Sequence, residues 1–164
     1  MNTDKANTDR TRSHKPDRDR IRGSINHVAI AVSNLDEAMQ FFGPFLARLG
    51  YEKPQAIVYQ GKRVVGHLHK THGTGINVWQ ALHEHQIKLY EPGLHHLAFN
   101  ATSKEECDEL YLFVRDTLGA TILTPPGYLP YDELYEAEEN SYYAFYFLGP
   151  DGIKFEVVFM SFLL

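Results

Sequence analysis

The chain has 164 residues, 43% hydrophobic and 23% charged, with net charge −5, one cysteine and nine histidines. That is the size of one domain or of two small halves around a shared core. No apolar run approaches the roughly 20 residues of a membrane helix, and the charged N-terminus lacks the apolar stretch of a signal peptide, so a cytoplasmic protein without a membrane partner is expected. The lone Cys107 excludes an intrachain disulfide and any cysteine-cluster metal site, which leaves histidine and carboxylate to hold an ion; net negative charge without a basic stripe argues against nucleic acid.

Residues 1–23 carry seven Lys or Arg against four Asp or Glu and almost nothing apolar, a surplus of three that leaves −8 on the remainder. Such a segment buries too little surface to offset its ordering entropy and reads as a flexible charged tail. Periodicity starts at residue 24. Ile25 to Val32 alternates as a strand, with Val28, Ile30 and Val32 on one face and His27, Ala29 and Ala31 on the other. Ser33 or Asn34 caps a helix whose first turn holds Asp36 and Glu37, as the helix dipole favours. Its buried stripe is Leu35, Met39, Phe42, Leu46 and Leu49, Gly50 ends it, and Gly43-Pro44 is expected to kink or split it. Strands at 52–59, 62–69 and 75–81 follow, with Gln60-Gly61 as a tight turn.

The order then recurs. Gly93 to Asn100 reads as a strand, Ser103-Lys104-Glu105-Glu106 as a capping box, and the helix it opens buries Cys107, Leu110, Tyr111, Val114 and Leu118 before stopping at Gly119. Strands near 120–124, 141–148 and 153–160 complete the second half, with Pro150-Asp151-Gly152 turning the last hairpin. Both halves run strand, helix, strand, strand, strand, the mark of an internal duplication. His27-Val-Ala-Ile parallels His96-Leu-Ala-Phe, and Arg48-Leu49-Gly50 parallels Thr117-Leu118-Gly119.

Alternation decides where the polar residues point. His27 with Ala29, and His96 with Ala98, share the face opposite the bulky residues, in space the alanines leave open. On the last strand Phe155, Val157 and Phe159 share one face and Glu156 stands alone on the other. A lone strand carboxylate needs a counter-charge or a metal. Two histidines and one glutamate on such faces supply the ligands of a divalent site with open positions. His95 points away from His96 by alternation and reads as a packing or surface residue. His67, His69 and His72 read as an adventitious metal-binding patch, and His83 and His85 as exposed connector residues. Residues 125–140 are mostly surplus in the second half, since Asn77 to Glu156 spans 79 residues and His27 to His96 spans 69. A lid and an acidic surface loop are equally open readings of this segment. Trp79, on one face with Asn77, and Tyr146 are candidate pocket walls.

Through Ile25-Asn26-His27-Val28-Ala29-Ile30, Gly93-Leu94-His95-His96-Leu97-Ala98-Phe99 and Gly149-Pro150-Asp151-Gly152-Ile153-Lys154-Phe155-Glu156, residues 24–160 resemble the glyoxalase, bleomycin-resistance and extradiol dioxygenase superfamily, the vicinal oxygen chelate proteins. The resemblance implies an α+β fold of two βαβββ modules, here 24–85 and 93–160, whose mixed sheets curl into a cup-shaped half-barrel around a metal. It implies His27, His96 and Glu156 as ligands. Asn77 falls at a fourth position often filled by glutamate or histidine, so a three-ligand triad or one with a weak fourth arm is expected. The implied cofactor is a divalent ion (Fe, Mn, Ni or Zn), and the implied activity is glyoxalase-like lyase or isomerase chemistry, or dioxygenation, of a small oxygen-chelating molecule. Glu156 is a candidate catalytic base, with Tyr146 and His69 as further candidates. The alternative is a metal-free small-molecule-binding protein of the bleomycin-resistance type. Dimerisation is the family's usual behaviour, so a homodimer is expected.

Overall fold

The computed structural model describes residues 23–131, 133–135 and 138–163; the tail expected at the N-terminus lies, but for Gly23, outside them. Two βαβββ units follow one another. The first comprises β1 (His27–Val32), α1 (Leu35–Arg48), β2 (Gln55–Tyr59), β3 (Lys62–His69) and β4 (Thr74–Gln80). The second comprises β5 (Leu97–Asn100), α2 (Lys104–Leu112) running into a π-helical turn (Phe113–Thr117), β6 (Thr121–Tyr128), β7 (Tyr142–Leu148) and β8 (Lys154–Met160). Each unit forms its own four-stranded mixed sheet, ordered β1-β4-β3-β2 and β5-β8-β7-β6. The first strand of each lies parallel to the last, as the helical crossover allows, and the other pairs are antiparallel. The fold is the expected glyoxalase-like α+β architecture, with unclosed sheets.

Local chemistry explains the helix ends. Asn34 caps α1, its side chain accepting from the backbone N–H groups of Asp36 and Glu37, and Ser103 caps α2 by accepting from Glu106. Gly50 and Gly119, at equivalent places in the two units, take φ of 84° and 65° after the helices, a region glycine enters without strain. The expected break at Gly43-Pro44 does not split α1, which runs through Pro44. Pro44 and Gln40, whose carbonyl loses its donor, are both exposed, so water can satisfy that oxygen. Phe41, Phe42, Phe45 and Leu46 anchor both sides of the proline in the core, and this burial outweighs its cost of about 3 kcal/mol.

The two units share one core. Helix α1 carries Phe41, Phe42 and Phe45 onto the second sheet, where their rings meet Phe99, Phe147 and Phe155 at 5.4–6.1 Å. The turn of residues 149–152 clasps the first unit. The Asp151 carboxylate accepts from the Ser33 N–H at 2.6 Å, and its carbonyl accepts from Ile87 N–H. The helix-facing sides of both sheets therefore meet inside one chain, and the opposite faces, with the polar residues singled out above, point away from this core.

Candidate functional site

On the first sheet the register places His27 opposite Gly75, Ala29 opposite Asn77 and Ala31 opposite Trp79, with Gly66 on the far side of Asn77. Period-two alternation puts all of these on the face away from α1. His27 and Asn77 line one hollow of about 360 Å³, together with Lys53, Gln55, Gly66 and Gly75. Both glycines leave room for these side chains. A Cβ on Gly66 would lie 3.0 Å from Asn77 Oδ1, and one on Gly75 would lie 3.2 Å from His27 Cβ. His27 is exposed and its Nδ1 is 2.8 Å from Asn26 Oδ1. Trp79 is partly buried, with Tyr59 edge-on at 6.3 Å. Among the described residues much of this face is open: Ile57, Tyr59 and Leu68, which alternation places on it, are 59%, 55% and 46% exposed.

The second sheet repeats the pattern. Ala98 is opposite Glu156 as Ala29 is opposite Asn77, so Asn77 and Glu156 occupy equivalent positions. Glu156 is 1% exposed. A carboxylate so placed must be compensated, and three side chains do so. His96 Nε2 lies 3.1 Å from Oε2, the Tyr142 hydroxyl donates to Oε1 at 2.7 Å, and the Tyr146 hydroxyl, from the strand position opposite, interacts with the same carboxylate. Burial together with the carboxylate pushes both phenols far above their ordinary range, so they remain donors. Burial lowers the His96 pKa, the Glu156 charge raises it, and the charges of His95 and Lys154 lower it further; the net direction is down. A neutral His96 is a competent metal ligand.

His96 precedes β5, which starts at Leu97 and not near Gly93 as expected. Strict alternation therefore does not hold at His95, which stays exposed as expected but turns its Nδ1 to within 2.7 Å of His96 Nδ1. The direction of this hydrogen bond follows the tautomer: with His96 Nδ1 as the donor, Nε2 is left with the lone pair that an ion needs. Tyr142 was not among the residues expected at the site. Its signal was the pattern Tyr142-Tyr-Ala144-Phe-Tyr146, which places two hydroxyls on one face around a small residue, antiparallel to Glu156. The surplus segment is shorter than expected because β6 runs on to Tyr128 through Pro125-Pro126-Gly127, as an edge strand tolerates. Beyond it Tyr131 and Tyr135 pack on the Tyr142 ring at 5.3 and 5.7 Å. His67, expected in an adventitious metal-binding patch, is 3% exposed, and neither ring nitrogen has a hydrogen-bond partner among the described residues.

The structure thus brings His96 and Glu156 together on one sheet, and His27 and Asn77 together on the other. Among the described residues no group of three or more His, Cys, Asp or Glu is arranged to hold an ion within the chain. The donor types, two imidazoles, a carboxylate and an amide oxygen, suit a divalent first-row ion. No helix among the described residues is long and apolar enough to cross a membrane.

Residues 24–157 match the family described as Glyoxalase/Bleomycin resistance protein/Dioxygenase superfamily. The uncharacterized protein YqjT of Bacillus subtilis (strain 168) is 31% identical over 139 residues, covering 82% of this chain and 97% of its own. The glyoxylase/bleomycin resistance protein/dioxygenase domain from Frankia sp. EAN1pec superposes with a TM-score of 0.64 at 20% identity, covering 83% and 96% of the two chains. The glyoxalase family protein from Enterococcus faecalis gives 0.60 at 20%, covering 83% and 97%. With the duplicated βαβββ units and their matched polar positions, these findings show that the chain belongs to the glyoxalase/bleomycin resistance protein/dioxygenase superfamily.

Proposed function

We propose that this protein is a divalent-metal-dependent enzyme acting on a small molecule that chelates through two oxygens, and that its site is assembled between two copies of the chain. The carrying observation is that the equivalent positions form two half-sites facing away from one core: His96 with Glu156 on the second sheet, and His27 with Asn77 on the first. A second copy laying its second sheet over the open face of the first sheet would complete the set, and the exposed Ile57, Tyr59 and Leu68 are the apolar surface such a copy would bury.

In this reading His96 and Glu156 of one copy and His27 of the other hold the ion, with the Asn77 amide as a weak fourth arm. The ion supplies Lewis acidity toward the chelated oxygens. The chain's own residues do the rest. Tyr142 holds one carboxylate oxygen and leaves the other toward His96. Hydrogen bonding by His95 orients the imidazole. Glu156 is the candidate base, since its fixed carboxylate is the acceptor on this face to which a substrate proton can move. Isomerase, lyase and dioxygenase chemistry all use such a site, and family membership alone does not select one.

One observation favours the metal-free binding protein as second reading: Glu156 is already compensated by its two tyrosines and His96. Metal analysis of protein purified without a histidine tag separates the two. Near-stoichiometric metal, lost in His96→Ala and Glu156→Ala, supports the enzyme; no metal together with intact ligand binding supports the binder. Mixing His27→Ala with Glu156→Ala protein tests the shared site. Partial return of metal binding is expected, because one of the two sites in a mixed dimer is then whole, and no return places each site within one chain.

A further inference from the structure

The face that carries Glu156 holds a charge that ligation does not need. Lys154 lies two residues before Glu156 on β8 and so projects from the same face. Its Nζ sits 4.2 Å from the centroid of the Tyr146 ring, the ring that His96 meets edge-on at 5.8 Å. Lys154 is partly buried, and its charge is felt at His96. Four other cations face carboxylates, Arg63 with Asp36, Lys70 with Glu52, Lys88 with Glu91 and Arg115 with Asp116; Arg48 and Lys104 also lie over rings, but Arg48 is exposed and Lys104 donates to the Tyr128 hydroxyl. Lys154 has no carboxylate within ion-pair distance among the described residues, Glu156 included. A partly desolvated ammonium facing only a π-cloud lacks its best compensation. Its charge also opposes a cation at His96 and Glu156, so its presence there is unfavourable until something negative arrives beside it.

We propose that the small molecule bound at this site carries an anionic group, a carboxylate or a phosphonate, which docks on Lys154 beside the chelating oxygens. The inference rests on the metal reading above and narrows its substrate class to anionic chelators. Tyr146, under the ammonium, fixes the direction from which the anion enters, and His96 against the same ring keeps the anion next to the ligating groups.

The test uses the full-length protein loaded with Mn(II), titrated calorimetrically with malonate, phosphonoacetate and the uncharged malonamide, in wild type, Lys154→Met and Lys154→Arg. Expected are binding of at least one anion and not of malonamide, at least tenfold weaker anion binding in Lys154→Met with Mn(II) affinity unchanged or tighter, and recovery in Lys154→Arg. Preference for malonate assigns a carboxylate, and preference for phosphonoacetate a phosphonate. Equal anion affinity in Lys154→Met and wild type overturns the proposal, as does joint loss of Mn(II) and anion binding, which would make Lys154 structural. Failure of wild type to take up Mn(II) overturns the metal reading instead. The titrations are then read on the metal-free protein, where Lys154-dependent anion binding supports the anionic substrate and its absence overturns it.

Discussion

Replacing Tyr142 by Phe removes one O–H and leaves the ring in place against Tyr131 and Tyr135, so the effect falls on the hydroxyl, whose bond to Glu156 is separated from its interaction with Tyr146 by the cycle below. That bond is 2.7 Å long and ends on a carboxylate that is 1% exposed. Hydrogen bonds to charged groups contribute about 1.5–3 kcal/mol, and water cannot reach this oxygen to replace the lost donor. Tyr142→Phe should therefore cost about 2 kcal/mol in urea unfolding at pH 7. Glu156→Gln keeps the shape and a neutral acceptor, which is roughly half as strong. A double-mutant cycle of the two should give a coupling of about 1 kcal/mol, above the roughly 0.3–0.5 kcal/mol scatter of independent sites. Coupling within that scatter would refute the view that Tyr142 holds the carboxylate, and with it the account of how a charged Glu156 is kept buried.

The ring of His67 is buried with no hydrogen-bond partner of ordinary geometry among the described residues, and burial pushes its pKa below the ordinary imidazole value, a weaker polar contact with the Ile76 backbone only partly opposing. The unfolded chain therefore binds this proton first: the contribution is complete above about pH 6.5 and is lost as pH falls through that value toward the lower folded pKa. His67→Leu should raise stability by about 1–3 kcal/mol and flatten the loss between pH 7.5 and 5.5; an unchanged pH slope would show that His67 is not its source. At the clasp between units, Asp151→Asn keeps an acceptor for Ser33 N–H and should be near neutral, and Asp151→Ala should cost about 1–3 kcal/mol, with equal losses in calorimetry counting against the clasp. A Cβ on Gly149 would come within 2.6 Å of Phe155 Cε2, so Gly149→Ala should cost about 1–3 kcal/mol by overpacking, measured by thermal melting. Asn77→Glu restores a carboxylate at the position equivalent to Glu156 and should tighten Mn(II) binding at least tenfold; unchanged affinity in a Mn(II) titration would place Asn77 outside the coordination sphere.

The strand residues show what local patterning carries. Period-two alternation put His27 with Ala29 and Asn77 with Trp79 on one face, and the pairing of Asn77 with Glu156 deduced from the repeat agrees with the register of both sheets. These features follow from steric rules that act over two to four residues, so they are visible without a fold. The same rules gave a kinked or split helix at Pro44, where the helix does not split, and an outward-turned ring at His95. At Pro44 the phenylalanines packing on the other unit override the local preference. At His95 the strand has not yet begun, so alternation has nothing to act on.

The sequence by itself determined the duplication, the faces of its strands and the kinds of donor available to an ion. Only the tertiary structure decided which donors meet: Glu156 with Tyr142, Tyr146 and His96, and His27 with Asn77 on a separate sheet. The reason is that α1 carries its phenylalanines onto the second sheet, so the two units share a core through their helix-facing sides and turn their polar faces apart. Which sides of two sheets come together depends on side-chain fit summed over the whole core, and no local pattern encodes that sum.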